Sequence, residues 1–286
     1  MNTAEPETAD PFPQQAIDRL TLLLRDVRRL GVAYSGGVDS SVLLAAAVRV
    51  LGPDHVVAVL GVSPSLASDE RLAAHQVAGL IGAPVVEVST YEGDRPAYQA
   101  NGPDRCFHCK DELFSRIDDE VVAAHGLDAV AYGENADDAR RHDRPGGQAA
   151  TNHRVLRPLA DLGLDKRAVR RLASAWRLPN ADKPAAPCLA SRIPHHEIVS
   201  PEKLRQIDQA ESALRALGLT DFRVRHHGDI ARIEVPAADL VRVVSDPMRA
   251  AVRRAVNSAG FRFAAVDLAG MQSGAFTLTA LESARG

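Results

Sequence analysis

Ser35-Gly36-Gly37-Val38-Asp39-Ser40-Ser41 follows a short apolar run, Leu30 to Tyr34, and opens a helical pattern, Asp39 to Leu51. A strand, a glycine loop and a helix in that order start an α/β fold. The glycines let backbone amides come close to phosphate oxygens, and the helix N-terminus favours negative charge. The hydroxyls of Ser35, Ser40 and Ser41 add donors. The loop therefore reads as a phosphate site formed by Ser35, Gly36, Gly37, Val38, Asp39, Ser40 and Ser41. It has neither the lysine and spacing of GxxxxGK[ST] nor the spacing of GxGxxG, so the mononucleotide P-loop and the dinucleotide fingerprint are both excluded. The competing reading is a plain strand-to-helix turn in which Asp39 and Ser40 only cap.

Outward from the loop, apolar runs alternate with amphipathic stretches. Residues 30–34, 55–62, 84–88, 128–132 and 154–156 read as five buried strands, and 14–28, 39–51, 69–81, 110–125 and 165–177 as helices. This predicts a parallel sheet wrapped by helices on both faces, with ligands at the carboxyl ends of the strands. The fourth strand leads into Gly133-Glu134-Asn135-Ala136-Asp137-Asp138, a second loop for that end. There Asp137 and Asp138 read either as oxygen ligands for a magnesium ion or as caps of the next segment.

The alternation stops at Arg177. Pro179, Pro184, Pro187, Pro194 and Pro201 make a stiff connector. Beyond it lie a helix over 200–217 capped by Ser200 with Pro201 at its first position, strands over 222–226 and 230–235 around His227-Gly228-Asp229, a helix over 248–258 and a strand over 261–268. The predicted organisation is a disordered tip over 1–13, an α/β domain over 14–178, a connector over 179–200 and a smaller α+β domain over 201–286.

Composition fits that plan. The 286 residues are 45% hydrophobic and 25% charged, which argues against disorder, collagen and coiled coil, and 4% aromatic, which predicts an aliphatic core. With 34 basic and 37 acidic side chains the net charge of -3 gives no global reason to bind nucleic acid. No run approaches the roughly 18 apolar residues of a membrane span, and the start is acidic, so a cytoplasmic protein is expected. Three cysteines are too few for a disulfide framework and are free, ligating or catalytic.

Cys106 and Cys109 sit in Arg105-Cys106-Phe107-His108-Cys109-Lys110 at a helix entrance, where neighbouring cations and the helix N-terminus are expected to lower thiol pKa. One CxxC is ambiguous between unlinked thiols and a metal site. Zinc normally takes four ligands, and His108 lies where it would have difficulty sharing the cysteines' metal. Cys188 lies in the connector, in Pro187-Cys188-Leu189-Ala190-Ser191-Arg192; flanking Lys183 and Arg192 are expected to favour its thiolate and the connector to present it to a substrate. Arg223 and Arg225 alternate on one strand and share a face, a pairing that suits a phosphate monoester. The plainer reading is a solvated sheet face neutralised by Glu234.

The SGGxDS loop at this place in the fold resembles the PP-loop ATP pyrophosphatases, of the adenine nucleotide alpha hydrolase type. Those proteins have a five-stranded parallel sheet and cleave ATP between the α and β phosphates to adenylate an oxygen. The Cys188 segment, Asn135-Ala136-Asp137-Asp138, Arg144-Pro145-Gly146 and the stretch from Arg223 to Glu234 narrow the resemblance to the LarE-type sulfur transferases, over about residues 15–270. The resemblance implies conversion of pyridinium-3,5-biscarboxylic acid mononucleotide to its dithio form for the nickel-pincer nucleotide of lactate racemase, alongside enzymes before and after it in that synthesis.

It also implies ATP and Mg2+ as cofactors. ATP would be bound by Ser35 to Ser41 together with Gly133, Asn135 and Asp137, with Asp39 and Cys188 in catalytic roles. It implies a 4Fe-4S cluster on Cys106, Cys109 and Cys188, and a substrate or anion site of Ser191, Arg192, Glu211, Arg223, Arg225 and Glu234. A homo-oligomer is expected. The chain departs from the family at His195-His196, where a tyrosine-glycine pair is expected, which puts the connector's local shape in doubt. Two other functions fit parts of the pattern: a PP-loop tRNA thiolase with a cluster, which needs a polyanion surface, and a non-catalytic adenine-nucleotide sensor.

Overall fold

The computed structural model describes residues 10–141 and 146–271. Most of the expected N-terminal tip, Arg144 and Pro145 of the quoted motif, and the chain beyond Met271 lie outside the described residues.

The first sheet is made of β1 (Leu30–Ala33), β2 (Val56–Val62), β3 (Val85–Ser89) and β4 (Ala129–Tyr132), all parallel, in the order β3-β2-β1-β4. Side chains alternate across it. Leu30, Val32, Val56, Ala58 and Leu60 enter one core with α1 (Phe12–Leu24), α2 (Val38–Leu51) and α3 (Ser68–Ile81), while Ala33, Val57, Val59 and Val130 enter another on the opposite face. Burial on both faces explains why β1, β2 and β4 are uninterrupted apolar runs, whereas β3, at the sheet edge, is only partly covered and carries Glu87. Along the chain follow α4 (Pro96–Gln99), α5 (Arg105–Arg116), α6 (Ala123–His125), α7 (Ala136–Ala139), α8 (Gly146–Asn152), α9 (Pro158–Asp161) and α10 (Lys166–Ala175). The chain leaves β1 toward β2 on one side, and β4 pairs on the other, so the crevice opens between the loops after β1 and β4.

Two expectations are corrected. The fifth strand, read at 154–156, contributes only a parallel bridge between Ala131 and Leu156. Arg154 turns to φ 54° before it, and Pro158, which has no N–H, opens α9 two residues later. Only one residue is left to pair. The helix read over 110–125 starts earlier, at Arg105, and passes through a π turn, Ile117–Val122, before α6. The CxxC motif therefore lies in the first turns of α5.

The second sheet, β5 (Arg223–His227), β6 (Ile230–Glu234) and β7 (Phe263–Val266), is antiparallel then parallel. It packs with α11 (Pro201–Ala216), α12 (Leu240–Val244) and α13 (Met248–Ser258). As expected, Ser200 caps α11, accepting from the Lys203 amide, with Pro201 at the first turn. Gly228, at φ 61°, makes the β5–β6 turn. Leu189, Ala190 and Ile193 of the connector and Tyr98 of α4 are buried in this core, which ties the connector to the second sheet. Among the described residues no helix is long and apolar enough to cross a membrane.

Candidate functional site

Residues 35–37 cross from β1 to α2. Gly36 has φ 70°, and a Cβ there would stand 2.9 Å from Ala74 Cβ, so both backbone and space require glycine. A Cβ on Gly133 would lie 2.7 Å from the Ser40 amide nitrogen. Glycine at 133 thus lets the β4 exit rest on the first turn of α2. The first amides of α2 have no intrahelical acceptor, which gives the loop its capacity for an anion. Ser40 Oγ donates to the Gly37 carbonyl at 3.1 Å and meets Ser35 Oγ at 3.2 Å. Ser41, expected as a ligand, is fully buried instead, its hydroxyl accepting from Asn180 Nδ2 at 2.8 Å.

Asp39 faces the second loop. Lys166 Nζ donates to its Oδ2 at 2.5 Å and Asn135 Nδ2 to its Oδ1 at 3.3 Å. The sequence reading missed Lys166. Its only local signal is its place after Asp165, whose carboxylate caps α10 by accepting from the Ala168 amide at 2.7 Å. Asn135 caps α7, its Oδ1 accepting from the Asp137 and Asp138 amides at 3.0 Å each, and Asn135 Nδ2 donates to Asp138 Oδ2 at 2.9 Å. Asp137 Oδ2 accepts from the Lys166 amide at 3.0 Å. Asp137 thus does not cap the segment that follows it, which Asn135 does, but meets the first turn of α10.

The three cysteines come from two distant segments. Cys106 and Cys188 are exposed and Cys109 is half-buried. Arg105 joins the segments, its buried guanidinium donating to the Ala190 carbonyl at 3.0 Å and to Asn101 Oδ1. Its charge acts on both Cys188 and Cys106. The expected lowering of thiol pKa is overturned for two of the three. Desolvation pushes Cys109 up, helped by the charges of Glu92, Cys188 and Cys106. Cys188 is open to solvent yet ringed by protein; desolvation raises it as well, and Arg105 and Arg192 only partly pull it back. Lys183 is no help, because it pairs with Glu70 at 2.6 Å. Thiols held protonated by their surroundings become thiolates when a metal takes the proton's place.

Among the described residues no three Cys, His, Asp or Glu side chains are grouped to hold a single ion. An iron–sulfur cluster spreads its thiolates over separate irons. Three thiols around a buried guanidinium suit the charge of that group.

The connector carries Cys188 between these parts. A proline-rich strap has few amides for a sheet ladder, and its carbonyls are met by arginines instead. Arg170 donates to the Ala181 and Lys183 carbonyls, Arg223 to Ala185, Arg192 to Pro187, Arg105 to Ala190 and Arg225 to Ser191, at 2.6–3.3 Å. The solvated-face reading of Arg223 and Arg225 is overturned, since both are buried. Arg192 forks onto Glu211 at 2.9 and 3.1 Å, and Arg225 donates to Glu234 at 2.8 Å. Arg223 makes no ion pair among the described residues, and its Nη1 is buried without a hydrogen-bond partner. Burial and the charges of Arg192 and Arg225 lower its pKa, a strain that an anion would relieve. Ser191, Arg192, Glu211, Arg223, Arg225 and Glu234 are thus brought together beside Cys188. At the family departure, His196 takes φ 67°, the left-handed conformation natural to the glycine expected there.

No family model matches the chain. It is 38% identical over 261 residues to an uncharacterised protein of Synechocystis, covering 91% of this chain and 96% of that one. It is 35% identical over 255 residues to the pyridinium-3,5-bisthiocarboxylic acid mononucleotide synthase of Lactiplantibacillus plantarum, covering 89% of this chain and 91% of the synthase. An uncharacterised protein of Methanocaldococcus jannaschii is 30% identical over 146 residues, about half of each chain. With likeness along nearly the whole length, a glycine loop at the sheet's crevice and a cysteine strap beside buried arginines, this chain belongs to the LarE-type sulfur transferases, the family of that synthase.

Proposed function

We propose that this protein is an ATP-dependent sulfur transferase that turns the carboxylates of pyridinium-3,5-biscarboxylic acid mononucleotide into thiocarboxylates. The observation that carries the reading is the connector: one strap touches the glycine loop through Asn180, bears Cys188, and is held by the buried arginines Arg223 and Arg225. A carboxylate is a poor electrophile. Its oxygen attacks the α-phosphorus of ATP, pyrophosphate leaves, and the acyl-adenylate then loses AMP when sulfur attacks the acyl carbon.

The α2 amides and Ser35 would receive the phosphates. Lys166 would offset their charge, supplying from α10 the cation that the loop itself lacks. Mg2+ takes one or two carboxylates plus phosphate oxygens, and Asp39 would be its protein ligand. Arg223, with Arg225 and Arg192, would hold the substrate's phosphate and so set its ring near Cys188. Cys106, Cys109 and Cys188 would hold a 4Fe-4S cluster, which supplies an iron with an open position for sulfide. Arg105 would balance its charge.

The test is turnover of the anaerobically purified chain with ATP, Mg2+, sulfide and the pyridinium biscarboxylate mononucleotide. AMP, pyrophosphate and a thiocarboxylate product are expected. Formation of ADP, or pyrophosphate release indifferent to the pyridinium substrate, would overturn the reading.

A further inference from the structure

Asn180 belongs to no motif of the loop and lies 144 residues from Gly36, yet its Nδ2 donates to the Gly36 carbonyl at 2.9 Å and to Ser41 Oγ at 2.8 Å. It is buried. Its own Oδ1 is buried without a partner, a cost that a residue present only to fill space would not carry. We propose that Asn180 is a positioning residue for the phosphate loop: it holds the Gly36 carbonyl inward and so keeps the Gly37 amide turned toward the incoming anion.

The argument is peptide geometry. The Gly36 carbonyl and the Gly37 N–H belong to one planar trans unit and point in opposite directions. A peptide between two glycines flips at little steric cost. Flipped, it would present an oxygen to phosphate where it now presents a hydrogen. Within the loop only a long contact, 3.4 Å from the Gly37 amide to Ser35 Oγ, opposes that flip. Asn180 opposes it from a firm base: its carbonyl accepts from the Lys183 amide at 3.1 Å, and Arg170 on α10 holds the carbonyls of Ala181 and Lys183.

The inference rests on the nucleotide reading given above, and calorimetric titration of the full chain with ATP and Mg2+ separates the two. Asn180→Asp keeps the shape, removes the donors and sets carboxylate oxygens against the Gly36 carbonyl. ATP affinity is expected to fall about tenfold or more, while inorganic phosphate binding at the arginine pocket stays unchanged. Asn180→Ala, which adds no charge, covers the case in which the aspartate variant fails to fold; it should weaken ATP in the same direction. Variants that melt earlier but bind ATP with wild-type affinity would show a merely structural asparagine and overturn the proposal. Wild-type protein that binds no ATP would overturn the nucleotide reading and this inference together.

Discussion

The glycine loop was readable because its chemistry is local: seven consecutive residues carry the whole signal. The residues that complete it were not. Lys166 and Asn180 reach Asp39 and Gly36 from 127 and 144 residues away, and neither has a distinctive neighbour pattern. The sign of the thiol shifts was misread for a related reason. Charged neighbours are visible in a sequence, but desolvation is not, and at Cys109 and Cys188 desolvation is the largest effect. This predicts slow alkylation of Cys188 at neutral pH in metal-free protein, rising as pH passes above the ordinary thiol range. Arg105→Met removes the cation that most favours the Cys188 thiolate, so it should slow alkylation at pH 7.5 further. Faster labelling of the variant in a timed iodoacetamide assay would contradict that role. At His196 the backbone keeps a glycine's conformation without the glycine. The left-handed region costs a non-glycine residue about 1–2 kcal/mol, and glycine's extra unfolded-state freedom returns part of this. His196→Gly should therefore stabilise the chain by up to about 1 kcal/mol in urea unfolding.

Helices and strands followed their periodicities, because the parallel sheet buries β1, β2 and β4 on both faces and leaves the helices amphipathic. The failures came where one residue decides. Arg154 and Pro158 cut the fifth strand to a bridge, a backbone effect hidden by the apolar look of Val155 and Leu156. The α5–α8 contact could not be read at all. His153, just after α8, meets Asp118 at 2.8 Å and Asp111 at 3.2 Å. Burial lowers its pKa, but the hydrogen bonds and charges of the two aspartates outweigh this and raise it. A raised folded-state pKa means that the stability from this contact is fully present below the unfolded histidine value, about 6.5. It is lost as pH rises through the folded value. The stability gap between wild type and His153→Asn should be widest near pH 6 and shrink above that value in urea titrations; a gap that widens with pH would exclude this ion pair as its source. For α10, Asp165→Ala removes the cap of the helix that presents Lys166. It should cost about 1 kcal/mol of stability and weaken ATP binding as well, whereas loss of stability alone would separate the cap from the site.

Across the whole molecule, the connector joins the core under α1, α2 and α3, through Ala181, to the core of the second sheet, through Leu189, Ala190 and Ile193, and its proline content was enough to mark a stiff strap but not its partners. Five arginines drawn from α5, α10, β5 and the strap itself meet its carbonyls, so Cys188 is fixed from several directions at once. That rigidity bears on how sulfur is supplied. A cysteine that surrendered its own sulfur would need neither Cys106 nor Cys109 nearby, and only Cys188→Ala would then be inactive. Each protein molecule would make one transfer and emerge lighter by the mass of hydrogen sulfide. A cluster held by all three thiolates predicts the reverse pattern. Any single Cys→Ala change should lose iron and acid-labile sulfide together with turnover, because two thiolates rarely retain a cluster. Cys188 would be intact after many turnovers. Anaerobic reconstitution, iron and sulfide analysis of the three variants, and intact mass of the native protein after several turnovers distinguish the two. A cluster would place its negative charge beside Arg105, whose guanidinium already donates to the Ala190 carbonyl and Asn101 Oδ1. Dehydroalanine at position 188 in proportion to product would overturn that expectation, whatever the iron content.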